Sequence, residues 1–258
     1  DLAAARPDPI PFFGELGSIN PVVVTKDADA ERGAELAAGL AASFTLGAGQ
    51  FCTKPGVVFV PRHSTLEQRI SEHVPAELVP LLNDSIASGF ASGAEHLLGL
   101  DGVEVLARGA ATVAATDIAA LNEEMLTEVF GPLTLLVRYD TRDELLAALR
   151  RVEGSLTATL HARDGEPIAD LVDALAEKSG RVLFSGWPTG VAVTWSQHHG
   201  GPWPATTSQH TSVGVTAVRR FLRPIAFQDA PDAALPPELR EVNPLGIPRR
   251  VDGVLVTH

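Results

Sequence analysis

Three side chains of reactive type stand in turn-rich surroundings. The chain's one cysteine, Cys52, lies in Gly47-Ala48-Gly49-Gln50-Phe51-Cys52-Thr53-Lys54-Pro55-Gly56. Glu15 opens Glu15-Leu16-Gly17-Ser18-Ile19-Asn20-Pro21, and Glu128 opens Glu128-Val129-Phe130-Gly131-Pro132. A thiolate adds to electrophilic carbon such as that of an aldehyde to give a thiohemiacetal; loss of hydride from it to an acceptor leaves a thioester, which needs a base to activate water. A carboxylate can be that base, and a second can hold a sugar hydroxyl. Main-chain N–H groups around Gly49 to Thr53 and the ammonium of Lys54 are expected to favour the thiolate. If the loop activates the thiol, Cys52 is expected to alkylate faster than a free cysteine, whereas a catalytic portion lacking part of that environment is expected to show a dull thiol. Plainer uses exist for each residue: a lone cysteine often serves as a small buried hydrophobe, and a glutamate as a surface charge.

In this order and wording, the three motifs resemble the catalytic portion of the aldehyde dehydrogenase superfamily. There a nucleophilic cysteine follows a Gly-Gln-x signature. A general-base glutamate opens a Glu-Leu-Gly-Gly-Lys-Asn-Pro-like motif, and a glutamate in Glu-x-Phe-Gly-Pro holds the nicotinamide ribose. Ser18 and Ile19 depart from the second glycine and the lysine of that pattern. The stretch Phe51 to Gly56 and the tail Asn243-Pro244-Leu245-Gly246-Ile247-Pro248-Arg249-Arg250-Val251 resemble the branch acting on 2,5-dioxopentanoate, or α-ketoglutarate semialdehyde.

The resemblance implies Cys52 as nucleophile and Glu15 as base. It implies Glu128 and Phe130 at the nicotinamide end of NAD or NADP, and Phe51, Thr53 and Trp187 along the substrate. The reaction implied is NAD(P)-dependent oxidation of an aldehyde through a thiohemiacetal and a thioester, by a homo-oligomer (dimer or tetramer). Two alternatives stay open: an acylating relative that passes the thioester to coenzyme A, and a non-catalytic interaction module. A Rossmann-type cofactor domain forms the first half of such enzymes, and no Gly-x-Gly-x-x-Gly after a strand precedes the Glu15 motif. The chain therefore reads as a catalytic-domain portion, inactive alone, with most of the cofactor site outside it.

Composition narrows the partners. Hydrophobic residues make up 45% of the 258, enough for a core, and the net charge is −12. The lysines are Lys26, Lys54 and Lys178 and the arginines are scattered, which argues against nucleic acid. A single cysteine forms no internal disulfide and fits a reducing compartment such as the cytoplasm. No apolar run of about 18 residues occurs, so no membrane partner is expected. His198, His199 and His210 share a loop with Trp195 and Trp203, but with one cysteine and no His-Glu-x-x-His pattern no metal is expected. The absence of Gly-x-Ser-x-Gly disfavours a serine hydrolase.

The elements that must position these residues follow an alternating order. Val22 to Val24 reads as a strand, a helix capped by Asp27 or Asp29 runs to about Leu46, and Gly56 to Val60 is the next strand. Helices are expected from Ser64 to about His73 and from Val79 to about Leu98. Strands follow at Val103 to Ala107, Thr112 to Ala115 and Leu133 to Val137. Thr141 caps a helix to about Val152. Leu156 to His161, a helix from Ile168 to Lys178 and Val182 to Phe184 form a second β-α-β unit. Residues 185–210 are a long loop, Val213 to Leu222 a helix, Ile225 to Phe227 a short strand, and the rest a Pro-rich tail. The fold class is α/β, a mostly parallel sheet flanked by helices. Residues 1–20 are read as the edge of a cofactor domain, 21–210 as the catalytic domain and 211–258 as an oligomerisation segment and tail.

Overall fold

Short runs of β-branched and other apolar residues alternate with helical stretches, and the computed structural model, which describes residues 2–257, folds them into one main sheet. In chain order the elements are β1 (Val22–Val24), α1 (Lys26–Phe44), β2 (Val57–Pro61), α2 (Thr65–Arg69), α3 (Asp84–Leu98), β3 (Glu104–Arg108) and β4 (Thr112–Asp117). There follow β5 (Leu133–Tyr139), α4 (Arg142–Arg151), β6 (Ser155–His161), α5 (Ala169–Ala176) and β7 (Ser179–Phe184). The sheet order is β3-β4-β5-β2-β1-β6-β7, and only the β3–β4 pair is antiparallel. The mostly parallel α/β sheet expected from the sequence is thus observed.

Side chains alternate across each strand, so the central strands feed two cores. Val22, Val24, Val58 and Val60 pack with Leu36, Leu40 and Phe44 of α1 and with Leu66 of α2. Val23, Val57 and Phe59 pack on the other face with Leu97 of α3, Leu145 and Leu149 of α4, and Leu171 and Leu175 of α5. Burial on both faces explains the unbroken apolar runs of the central strands.

Local corrections have local causes. Helix α1 is capped by Thr25, whose Oγ1 accepts from the N–H of Ala28, rather than by Asp27 or Asp29. Asp29 is buried within α1, and its carboxylate accepts from the free N–H groups of Thr65 and Leu66 at the start of α2, at 2.8 and 3.0 Å. Helix α3 begins at Asp84, not near Val79, because Pro80 disfavours helix before it and Asn83 supplies the cap. Thr141 caps α4 as expected, with Glu144 completing a capping box.

The chain forms two compact units, Asp1–Ala217 and Val218–His258. Val213 to Leu222 holds only the 3-10 turns Val215–Phe221, and Ile225 to Phe227 forms no strand. The tail instead carries a hairpin, β8 (Arg249–Val251) with β9 (Val254–Val256). Asp252 and Gly253, both at positive φ, make its two-residue turn. Asp-Gly between apolar residues is a local hairpin signal, and it forms this turn within the tail expected to be irregular. No helix among the described residues is long and apolar enough to cross a membrane.

His161, at the end of β6, is fully buried against Trp187, with ring centroids 4.6 Å apart. Neither ring nitrogen has a hydrogen-bond partner among the described residues. Burial, with Arg32 nearby, pushes its pKa down to about 4. The unfolded chain protonates this histidine near pH 6.5, the folded chain only near 4, so stability falls as pH drops through that window, by about 3 kcal/mol in total. Urea unfolding at pH 7 and pH 4 should show a larger acid loss in the native chain than in His161→Phe.

Candidate active site

All three motif residues precede strands that run the same way: Glu15 before β1, Cys52 before β2 and Glu128 before β5. Parallel strands place their entry loops on one edge of the sheet, which gathers residues far apart in sequence. Asn20 ties these loops together. It is buried, at φ +53°, a conformation asparagine tolerates better than most residues. Its Nδ2 donates to the carbonyls of Ser18, Cys52 and Lys54 at 3.0, 2.9 and 3.0 Å. Its Oδ1 accepts from the hydroxyl of Ser18, and from the N–H and hydroxyl of Thr157 on β6. One amide thus fixes the Glu15 segment, the cysteine loop and β6 together.

The cysteine loop is held from below as well. Gly49 has φ +69°, and a Cβ there would overlap the carbonyl of Gly131, so the Glu128 motif packs directly on the loop. Lys54 is buried, and its ammonium donates to the carbonyls of Val129 and Leu133, both at 2.9 Å. Burial lowers its pKa to about 8. It is a strut between loops and not the activator of the thiol expected from sequence. Glu128 is half-buried and accepts from the N–H of Ser18 at 2.9 Å, and burial foremost raises its pKa. It forms part of a cleft of about 310 Å³ that is lined also by Gly17, Ser18, Thr127 and Gly154.

The structure adds a residue to the centre. His199 Nε2 lies 3.9 Å from Cys52 Sγ and 3.1 Å from Glu15 Oε1. The backbone of His199 is pinned, its N–H donating to Thr211 Oγ1 at 2.8 Å and its carbonyl accepting from the N–H of Ser212 at 2.9 Å. A short antiparallel pairing brings this loop back to Glu15: Leu16 N–H donates to the Ala205 carbonyl, and Thr207 N–H to the Gly14 carbonyl. The sequence noted His199 among loop histidines, but nothing in the local pattern distinguished it from His198 or His210.

The thiol is held above the ordinary cysteine range, first by burial and then by the charges of Glu15 and Glu128. A hydrogen bond from its own main-chain N–H and the charge of Arg181 act the other way without reversing the shift. In this chain the loop N–H groups thus do not outweigh burial and the two carboxylates, in line with the dull thiol expected of the portion alone. Phe51 is presented outward, whereas Thr53 is buried with 3% of its surface exposed. Phe130 is half-buried within the Glu128 loop. Trp187 packs on Gly39 of α1 and on His161, so a substrate-lining role gains nothing from its position.

Comparison with known proteins gives one direction. No family model matches the chain. It is 43% identical over 98% of its length to α-ketoglutaric semialdehyde dehydrogenase 2 of Azospirillum brasilense. It is 39% identical over 99% of its length to α-ketoglutaric semialdehyde dehydrogenase of Acinetobacter baylyi. The chain spans about half the length of these curated relatives, 51% and 52%. Among solved structures it is similar to PnpE from Pseudomonas sp. WBC-3, with TM-score 0.67 and 18% identity over 80% of this chain and 45% of that one. It is also similar to an aldehyde dehydrogenase from Bacillus cereus, with TM-score 0.63 and 19% identity over 80% and 44%. These structures share the fold.

Asn20→Ala should destabilise the chain by about 3 kcal/mol in urea unfolding, since it strands several buried partners at once. Iodoacetamide at pH 7 should label Cys52 more slowly than free cysteine, with a rate climbing about tenfold per pH unit up to pH 8.5. Glu15→Gln removes one cause of the raised pKa and should speed labelling at pH 7; a thiol that labels faster than free cysteine would contradict this electrostatic account.

Proposed function

We propose that this chain carries the chemical centre of an NAD(P)-dependent aldehyde dehydrogenase, with a semialdehyde such as 2,5-dioxopentanoate as substrate. The observation that carries the reading is the convergence of Cys52, Glu15 and His199 beside the Glu128 cleft. The semialdehyde dehydrogenases at 39–43% identity support the substrate class. In the tautomer with its proton on Nδ1, His199 accepts the thiol proton at Nε2, the Nε2–H so formed donates to Glu15 Oε1, and the thiolate of Cys52 adds to the aldehyde carbon to give a thiohemiacetal. The main-chain N–H of Cys52 donates to the oxyanion that forms.

Glu128 and Phe130 would hold the ribose and nicotinamide end of the cofactor. The Glu128 carboxylate faces a cleft at the small end of the range for ligand sites and has one oxygen engaged by Ser18, which fits a hydroxyl donor at the other. When bound, the dinucleotide supplies the hydride acceptor that converts the thiohemiacetal to a thioester. Glu15, exposed beside Cys52, then takes a proton from the water that attacks the thioester. A carboxylate at this position favours hydrolysis over transfer to coenzyme A. The chemistry requires a reduced thiol, which fits the cytoplasm. Large apolar side chains exposed in the second unit, among them Phe221, Ile225 and Val242, fit an oligomerisation role for that segment.

The test is aldehyde-dependent formation of reduced nicotinamide by the full gene product that contains this sequence. Cys52→Ala should abolish it. Glu15→Gln should release about one equivalent of reduced cofactor and stall as a thioester, visible as added mass on Cys52. Glu128→Gln should slow the first turnover itself. Normal turnover by Cys52→Ala would overturn the assignment.

A further inference from the structure

We propose that Glu15, Cys52 and His199 form a binding site for a thiophilic divalent cation of the zinc type. The expectation of no metal rested on short-range patterns, and the three donors come from distant parts of the chain. One sulfur, one imidazole nitrogen and one carboxylate oxygen all lie within 4.8 Å of one another. Tetrahedral zinc, with bonds of about 2.3 Å to sulfur and about 2.0 Å to nitrogen and oxygen, sets its donors about 3.3–3.5 Å apart. The observed Nε2–Oε1 and Sγ–Nε2 separations, 3.1 and 3.9 Å, bracket that range. Side-chain rotation at the exposed Glu15 and Cys52 closes the rest, while the backbone beneath stays fixed by Asn20 and by the Leu16–Ala205 pairing.

The donor set selects the ion. Thiolate and imidazole favour Zn²⁺ and disfavour Mg²⁺ and Ca²⁺, which take oxygen ligands. Glu15 and Glu128 place negative charge around the thiol, opposed by Arg181, and a dication relieves that crowding. Binding forms a Zn–S bond and releases the thiol proton to water; no electron changes hands. Three protein ligands leave a fourth position for water. A sulfur bound to zinc is not free to attack a carbonyl, so occupancy would switch off the reaction proposed above. That last consequence rests on the proposed function; the binding does not.

The experiment uses the chain itself, whose single cysteine makes every thiol signal site-specific. Equilibrium dialysis with ZnCl₂ should find one equivalent bound. Saturating Zn²⁺ should slow iodoacetamide labelling of Cys52 at least about tenfold, EDTA should restore it, and Mg²⁺ at the same concentration should do nothing. His199→Asn and Glu15→Gln should each weaken Zn²⁺ at least about tenfold. An unchanged labelling rate under saturating Zn²⁺ would overturn the proposal in the native chain, whatever the variants do. Equal protection by Mg²⁺, or undiminished Zn²⁺ affinity in Cys52→Ser, would overturn it as well. Zinc binding without dehydrogenase activity in the full gene product would leave this site standing and remove the functional reading; activity without zinc binding would do the reverse.

Discussion

The amide of Asn20 is the constraint on which the site depends. Three carbonyls and a set of donors from β6 converge on one buried side chain. A buried polar group is costly unless satisfied, and here its satisfaction requires the Glu15 segment, the cysteine loop and the sheet to be in register. The same interaction that stabilises the core therefore sets the position of Cys52. Its positive φ turns the chain sharply into β1, which leaves Glu15 outside and Ser18 inside.

The site lies at the entry ends of parallel strands. In many open α/β sheets, ligands bind beyond the carboxyl ends. Here the loops before β1, β2 and β5 carry the reactive residues, and the loop after β7 returns to the same edge with His199. Close packing makes that return possible. Cβ atoms on Gly154, Gly180 and Gly201 would overlap neighbouring backbone, so the loop rests directly on the ends of β6 and β7. Residues 185–210 are thus a long segment used to deliver one side chain.

The electrostatics of the centre run against the simplest picture of an activated thiol. Two carboxylates act on Cys52, and Lys54 spends its charge on carbonyls of the neighbouring loop. Burial and these charges together favour the neutral thiol, which lies beside a histidine and a carboxylate.

Much of the fold was legible because its signals are local. Apolar runs marked the central strands, Thr141 with Glu144 marked α4, and the turn residues around Cys52 and Glu128 marked the loops. The candidate residues Glu15, Cys52 and Glu128 were legible by their motif wording alone. Caps were less so: Thr25 competed with two aspartates, and only the arrival of α2 gave Asp29 its own task. The tertiary structure alone placed His199, 147 positions from Cys52 and 184 from Glu15, beside both, because such contacts leave no trace in a local pattern. It also decided the direction of the thiol's pKa and the use of Lys54 as a strut. Both depend on burial and on charges from remote segments, and neither quantity exists until the sheet has brought its entry loops to one edge.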